Sequence, residues 1–396
     1  MSDAPRNAAG ARPLPLLALA FRPFFLAAGL AAIALVLAWI AAYAGAGPLR
    51  NYYGAIVWHA HEMLFGYAVA VLGGFLLTAA GNWTGVPTAR GAALLALLLL
   101  WLAGRVAPLF PAALPGWVIA VVDLALLPAL TVAVALPISR VRQTRNMVFV
   151  GLLAALALAN LLVHLESLGL RPGMARLGLY GAAYTFVLLI VVMGGRVIPF
   201  FTERGLEGVQ SRRYRPVEWA APASVVAVAL CDLFLSGSRL LVALSVLAAL
   251  VHIVRLAGWY TSRYWSAPLL WVLHLGYAWI AVGFALRALA ALGFASPTLA
   301  LHAFTAGAIG VLTLGMMARV ALGHTGRPLR VGPGIAVAFA LVNLAAVVRV
   351  LLPLSLPGLY VPLIVASGVL WCAAFVIFVA EYAPVLLRPR IDGKPG

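Results

Sequence analysis

A chain of 396 residues that is 65% hydrophobic and only 9% charged leaves no room for a sizeable soluble domain, and its long apolar runs define a polytopic membrane protein. A formal net charge of +17 would suggest nucleic acid in a soluble protein. Here the placement of the basic residues assigns them to membrane topology, and nucleic-acid recognition has no support. Cys231 and Cys372 stand far apart in apolar segments, which excludes a disulfide framework, a thiolate cluster and haem attached through C-x-x-C-H.

The first 20 residues are rich in Ala and Pro and carry only Arg6 and Arg12. No A-x-A-like cleavage site closes a short apolar run there, so the first span reads as an uncleaved helix and 1–20 as a cytoplasmic tail. Apolar windows of about 20 residues then predict twelve spans, at about 21–44, 52–78, 91–109, 116–136, 147–168, 178–200, 217–237, 239–260, 268–291, 299–320, 332–352 and 360–383. The runs are continuous rather than alternating, which argues against a barrel. The expectation is an all-α polytopic membrane helix bundle of about 12 transmembrane helices, one integral membrane domain over 1–396 with a C-terminal tail at 384–396. Both termini are expected in the cytoplasm. On that topology only Arg50, Arg105, Arg171, Arg176, Arg239, Arg287 and Arg349 fall on the outer side, and the other 20 of the 27 Lys and Arg lie at or near the inner side, as the positive-inside rule requires. The longest loop, about 201–216, is basic. Phe21-Arg22-Pro23-Phe24-Phe25 and Val197-Ile198-Pro199-Phe200-Phe201 echo each other, but at opposite ends of their spans, which is poor support for an inverted repeat.

The second span carries Trp58-His59-Ala60-His61-Glu62. Helical residues two apart point about 200° apart, so His59 and His61 face opposite ways and cannot easily share one metal; Glu62 lies on nearly the same face as His59. Polar groups at membrane depth are costly and mark functional sites. All the histidines except His324 fall within predicted spans. By depth, His59, His61, His164 and His302 form an outer layer, and His252 and His274 an inner one, with His324 just beyond the tenth span. Imidazole binds haem iron, copper and other transition metals, while a lone membrane histidine usually hydrogen-bonds between helices. There is no H-E-x-x-H, so zincin chemistry has no support. Glu166 reads as a cap of the outer loop. Asp123, Asp232, Arg287 and Arg349 either pair within the bundle or snorkel at its edge. Arg22, Arg196 and Arg319 lie near inner span ends, as topology anchors or as partners of haem propionates. Gly307, Gly310 and Gly315 permit close approach of a helix or a flat macrocycle. Met193, Met316 and Met317 are soft ligands or filler.

These motifs together resemble the NnrS family of bacterial membrane proteins over nearly the whole chain. The resemblance rests on F-R-P-F-F from Phe21, W-H-A-H-E-M-L-F-G-Y from Trp58 and G-N-W-T-G from Gly81. It continues with G-G-R-V-I-P-F-F-T from Gly194, W-V-L-H-L-G-Y from Trp271, L-H-A-F-T-A-G-A-I-G from Leu301 and M-A-R-V-A-L-G-H-T-G-R-P from Met317. It implies a twelve-helix protein of the bacterial cytoplasmic membrane with non-covalent b-type haem and copper, linked to nitric oxide metabolism, denitrification and nitrosative stress. The family histidines map onto His59, His61, His274, His302 and His324, with His164 added. The H-x-H helix is similar in outline to that of haem–copper oxidases, where one helix serves two haems on opposite faces.

The expected function is therefore a haem/copper protein, with or without oxidoreductase turnover, that binds nitric oxide or a nitrosyl-iron species and draws on an unidentified electron donor. His59 or His61 pairs with His302 or His164 as axial haem ligands, and a second group including His274 and His324 takes copper or another haem. Arg196 and Arg319 are candidate cofactor contacts. Glu62 orients a ligand or donates a proton. The alternatives are a proton-coupled small-solute transporter with histidine relays and a haem- or metal-handling protein.

Overall fold

The computed structural model describes residues 14–47 and 50–394, so most of the expected N-terminal tail lies outside the described residues. Among them there are no strands, and 12 helices are long and apolar enough to cross a membrane. They are α1 (Phe21–Tyr43), α2 (Ala55–Thr84), α3 (Gly91–Leu109), α4 (Gly116–Arg140), α5 (Thr144–Ser167), α6 (Met174–Gly205), α7 (Arg215–Phe234), α8 (Arg239–Trp259), α9 (Pro268–Ala291), α10 (Pro297–His324), α11 (Pro333–Ser355) and α12 (Pro357–Leu387). Helices are the outcome that lipid dictates, because each backbone N–H and C=O must find its partner inside its own segment.

Every predicted span is present, and several are longer than hydropathy indicates. α2 runs on to Thr84, and α10 ends at His324, which is therefore the last helical residue and not a loop residue. α6 starts at Met174 and ends at Gly205, reducing the loop before α7 to a short connection. Hydropathy windows stop where Thr, Arg and Glu begin, but helical hydrogen bonding continues into the interface.

Chain neighbours pack largely in sequence, and α12 returns to α1 and closes the bundle. Arg22 at the start of α1 donates through Nη1 to the carbonyls of Leu386 and Arg388, at 2.9 and 2.7 Å. The start of α1 and the end of α12 thus meet at one face, called the terminal face below. α2, α9 and α10 lie inside: 83, 72 and 67% of their apolar windows is buried, against 28% for α7. A helix apolar all round is the kind that can be buried on all sides.

α9 and α10 exchange side chains across their contact. A Cβ on Gly307 would stand 2.6 Å from the Trp279 ring, and one on Gly283 would overlap the Phe304 ring. Gly310 and Gly315 likewise receive Trp371 and Val272. The small residues of α10 therefore serve helix packing, one of the two uses their sequence allows.

α2 and α10 share a second irregularity. Each becomes a π-helix directly after a histidine, over Glu62–Ala68 after His61 and over Ala303–Ile309 after His302. Such wider turns are rare and are frequent at functional sites.

Replacing Gly310 by Leu forces Trp371 from its place and should cost about 1–3 kcal/mol. A Cβ added at Gly151 would meet nothing within 4 Å, and Gly151→Leu should leave the thermal midpoint in detergent unchanged. Equal midpoints for the two variants would contradict this packing.

Candidate functional site

At the face opposite the terminal face, α2, α3, α4 and α5 enclose a group of polar side chains. His61 comes from α2, Arg105 from α3, Asp123 from α4, and Asn160 and His164 from α5; all are buried. Glu62, also buried, follows His61 at the start of the π-helix. Tyr53 reaches in from the connection before α2.

The Nε2 atoms of both histidines converge on one carboxylate oxygen. His61 Nε2 lies 3.2 Å and His164 Nε2 3.0 Å from Asp123 Oδ2. Asn160 Nδ2 donates to the same oxygen at 2.7 Å, which turns Asn160 Oδ1 toward His61 Nε2 at 2.9 Å. His61 Nδ1 faces Glu62 Oε1 at 3.3 Å, and donates there when Glu62 is ionised. Its Nε2 is thus crowded by two oxygen acceptors. That is unfavourable for a neutral imidazole, whose Nε2 would then be a bare lone pair. The ring is an imidazolium, or its Nε2 shares a cation with those oxygens, or it carries its one proton on Nε2 while a protonated Glu62 donates to Nδ1.

The charges point the same way. Arg105 donates to Glu62 Oε1 through Nη1 at 2.8 Å and pairs with Asp123 through Nη2. With both ionised, one guanidinium thus faces two carboxylates and leaves one buried negative charge, which a proton on Glu62 or on a histidine, or a metal ion, compensates. The Tyr53 hydroxyl bridges His61 Nε2 at 3.1 Å and His164 Nε2 at 3.3 Å. Burial and the neighbouring Asp123 hold its phenol well above the usual range, so it takes part as a neutral group. His164 Nδ1 and Glu62 Oε2 are buried without a hydrogen bond.

Among the described residues, His61, Asp123 and His164 each offer a ligand atom such that these atoms all lie within 4.8 Å of one another. A tetrahedral ion with ligands at about 2.0–2.1 Å places its ligand atoms about 3.3 Å apart. Two imidazoles and one carboxylate form a nitrogen–oxygen donor set suited to first-row ions.

A model described as NnrS protein matches residues 15–390. The chain belongs to the NnrS family. Comparison with curated proteins returns no match. Membership of the NnrS family covers every helix and the whole of the site.

The other expected site residues fall in different surroundings. His59 turns away from His61, stacking on Trp39 of α1 at 4.3 Å and 12°, with Nδ1 buried and without a hydrogen bond. It faces the Arg349 charge of α11, as does His302 of α10. His302 Nδ1 donates to the Thr298 carbonyl at 2.7 Å, and its Nε2 receives Arg349 Nη2 at 3.3 Å. The H-x-H pair therefore serves two neighbourhoods, as its spacing requires.

His274 and His324 have separate partners. His274 Nδ1 donates to the Leu270 carbonyl at 3.0 Å, and the ring stacks on Tyr264 at 4.2 Å. His324 lies against Phe21 at 5.6 Å and 3.4 Å from Asn82 Nδ2, where the C-terminal segment folds back and Arg390 donates to its carbonyl at 2.9 Å. His252 is bound to the Tyr277 hydroxyl at 2.8 Å. Arg196 donates to Asn146 Oδ1 at 3.0 Å and to the Arg145 carbonyl at 3.3 Å, tying α6 to the start of α5. Arg319 lies 3.8 Å from the centre of the Phe201 ring. Glu166 accepts from the Ala175 N–H at 2.7 Å and so caps α6. Asp232 pairs with Arg287 inside the bundle.

Asp123, Arg105, Asn160 and Tyr53 belong to the cluster without having stood among the sequence-derived site residues. Asp123 did carry a signal, as a carboxylate deep in an apolar span. Arg105 lay among residues counted for topology, and Asn160 and Tyr53 carry no charge to betray them.

Removing one member of the buried ion pair should be costly. Asp123→Asn should destabilise by about 3–5 kcal/mol, and Arg105→Gln similarly. The double variant should cost less than the sum by about 0.5–3 kcal/mol, read from thermal unfolding in detergent. Additive costs would show that the two do not act as one unit.

Proposed function

We propose that this NnrS-family chain is a membrane metalloprotein that binds nitric oxide or a nitrosyl-iron species, in nitric oxide metabolism or protection against nitrosative stress. The observation that carries the proposal is the convergence of His61 and His164 Nε2 on Asp123 Oδ2, where oxygens crowd an imidazole nitrogen that only a proton or a metal ion can reconcile with them. The family's link to metals and nitric oxide selects the metal.

The donor set fits copper(II) or another first-row ion, with His61, His164 and Asp123 as ligands. Such an ion would supply the coordination position for a small diatomic ligand. Glu62 orients His61 through Nδ1, and its second oxygen, Oε2, can hold a proton beside the site. Arg105 fixes both carboxylates, and Tyr53 supplies a hydroxyl donor to whatever occupies the space between the rings.

For b-type haem, His59 and His302 are the fitting donors. Both feel the charge of Arg349, His59 Nδ1 is unpartnered, and His302 is oriented by its Nδ1 hydrogen bond to Thr298. His302 Nε2 would have to release Arg349, which would then be the nearby cation to meet a propionate. His274 and His324 have no shared site and are not assigned to a common metal. In this proposal the termini are cytoplasmic, which puts the His61 cluster toward the outer side of a bacterial inner membrane.

A second reading rests on the same crowding. With His61 as imidazolium, the cluster is complete without metal and is suited to a proton relay in a transporter. Metal analysis of detergent-purified protein from metal- and haem-replete cells separates the two. The proposal expects about one non-haem metal ion per chain, lost in His164→Ala and Asp123→Ala, and haem lost in His302→Ala. Nitric oxide should alter the visible and spin-resonance spectra of the unmodified protein. A metal-free, colourless protein would leave the relay reading in its place.

A further inference from the structure

An apolar cleft opens between α1, α2, α6, α9 and α10 in the half of the bundle nearer the terminal face. Its walls include Phe25, Leu72, Val197, Leu273, Ile309 and Met316. The two π-helices end on it, at Ala68 and Ile309. Thr313 is its one hydroxyl-bearing residue, and that hydroxyl is occupied: it donates to the Ile309 carbonyl and is bound to Tyr67 at 2.6 Å. No histidine lines the cleft, so it offers haem no imidazole ligand. It offers nothing polar to a quinone ring either.

A cation lies at one end of it. Arg319 is three residues beyond Met316 on α10, and Phe201 is four beyond Val197 on α6. Each is therefore about one helical turn past a lining residue, toward the terminal face. The Arg319 guanidinium sits 3.8 Å from the centre of the Phe201 ring. The residue is only 8% exposed, and no carboxylate pairs with it among the described residues. A cation–π contact offsets only part of the cost of an enclosed charge. Arg204, exposed and over Phe200, adds a second positive charge at the same rim. An apolar cleft that ends at a nearly buried guanidinium with no carboxylate partner among the described residues, near the helix ends, suits an amphiphile with an anionic head.

We propose that this cleft binds an anionic phospholipid, with an acyl chain along the apolar walls and the headgroup phosphate on Arg319. This site is separate from the histidine–carboxylate cluster. It also gives Arg319 an anion other than the haem propionate suggested by its sequence position.

The test uses the full chain purified in detergent and mixed with equal amounts of phosphatidylglycerol and phosphatidylcholine. Lipid retained after size exclusion is quantified by mass spectrometry. The unmodified protein should retain phosphatidylglycerol about fivefold over phosphatidylcholine. Arg319→Gln should bring the two to parity. Arg319→Lys should keep most of the preference, and Val197→Phe, which fills the cleft, should lose both lipids. Metal content and thermal midpoint serve as checks on folding. If Arg319→Gln does not fold, the Lys and Phe variants decide alone: a kept preference with lipid lost from Val197→Phe supports the site. Parity in the unmodified protein, an unchanged preference in Arg319→Gln, or undiminished lipid in Val197→Phe would overturn it. Release of porphyrin instead of lipid by Val197→Phe would overturn it too.

Discussion

The cost of placing charge inside an apolar bundle is the constraint on which the rest of this structure depends. Three helices are held together around the contact of Arg105 with Asp123 and Glu62, and α5 joins them through Asn160 and His164. In water such a contact is worth little. Here neither partner can return to solvent without disrupting α2, α3 and α4, and removing one strands the other. With both carboxylates ionised, the arrangement also leaves one negative charge over, and that excess draws a proton or a metal ion to the imidazoles of His61 and His164.

The bundle meets the same constraint by local pairing at other places where it buries charge. Asp232 takes Arg287 and the Tyr184 hydroxyl. Arg255 takes Glu218, the Tyr277 hydroxyl and the Val191 carbonyl, and the absence of a side chain at Gly195 is what lets its guanidinium pass. Arg319 departs from this pattern, with an aromatic face and no anion. The two π-helices tie the polar and apolar regions together. They begin beside His61 and His302, near the polar sites, and end at the cleft, so the widened turns span the depth between them.

Much of the fold was legible because lipid reduces the choices. Twelve apolar windows gave twelve helices, and the errors lie at ends such as Thr84 and His324, where hydropathy falls before hydrogen bonding stops. The opposed directions of His59 and His61 followed from a rotation of about 100° per residue. The cluster was only half legible. Spacing along one helix shows which way a side chain points, but α2, α3, α4 and α5 meet through packing that a single sequence does not encode by period. Asp123 therefore read as one of several buried ionisable groups, and Arg105 as a topology anchor. The π-helices were not legible at all, since residues that form them, such as Gly307, read equally well as packing glycines.

X-ray absorption at the metal edge of the purified, unmodified protein bears most directly on the central claim, that His61, His164 and Asp123 hold an ion. The account predicts a first shell of nitrogen and oxygen at about 2.0–2.2 Å, with the outer-shell scattering of two imidazoles, and the signal of this ion disappears in His164→Ala. A shell containing sulfur, or a spectrum that His164→Ala leaves unchanged, would contradict it and return the cluster to a hydrogen-bonded relay around a charged His61.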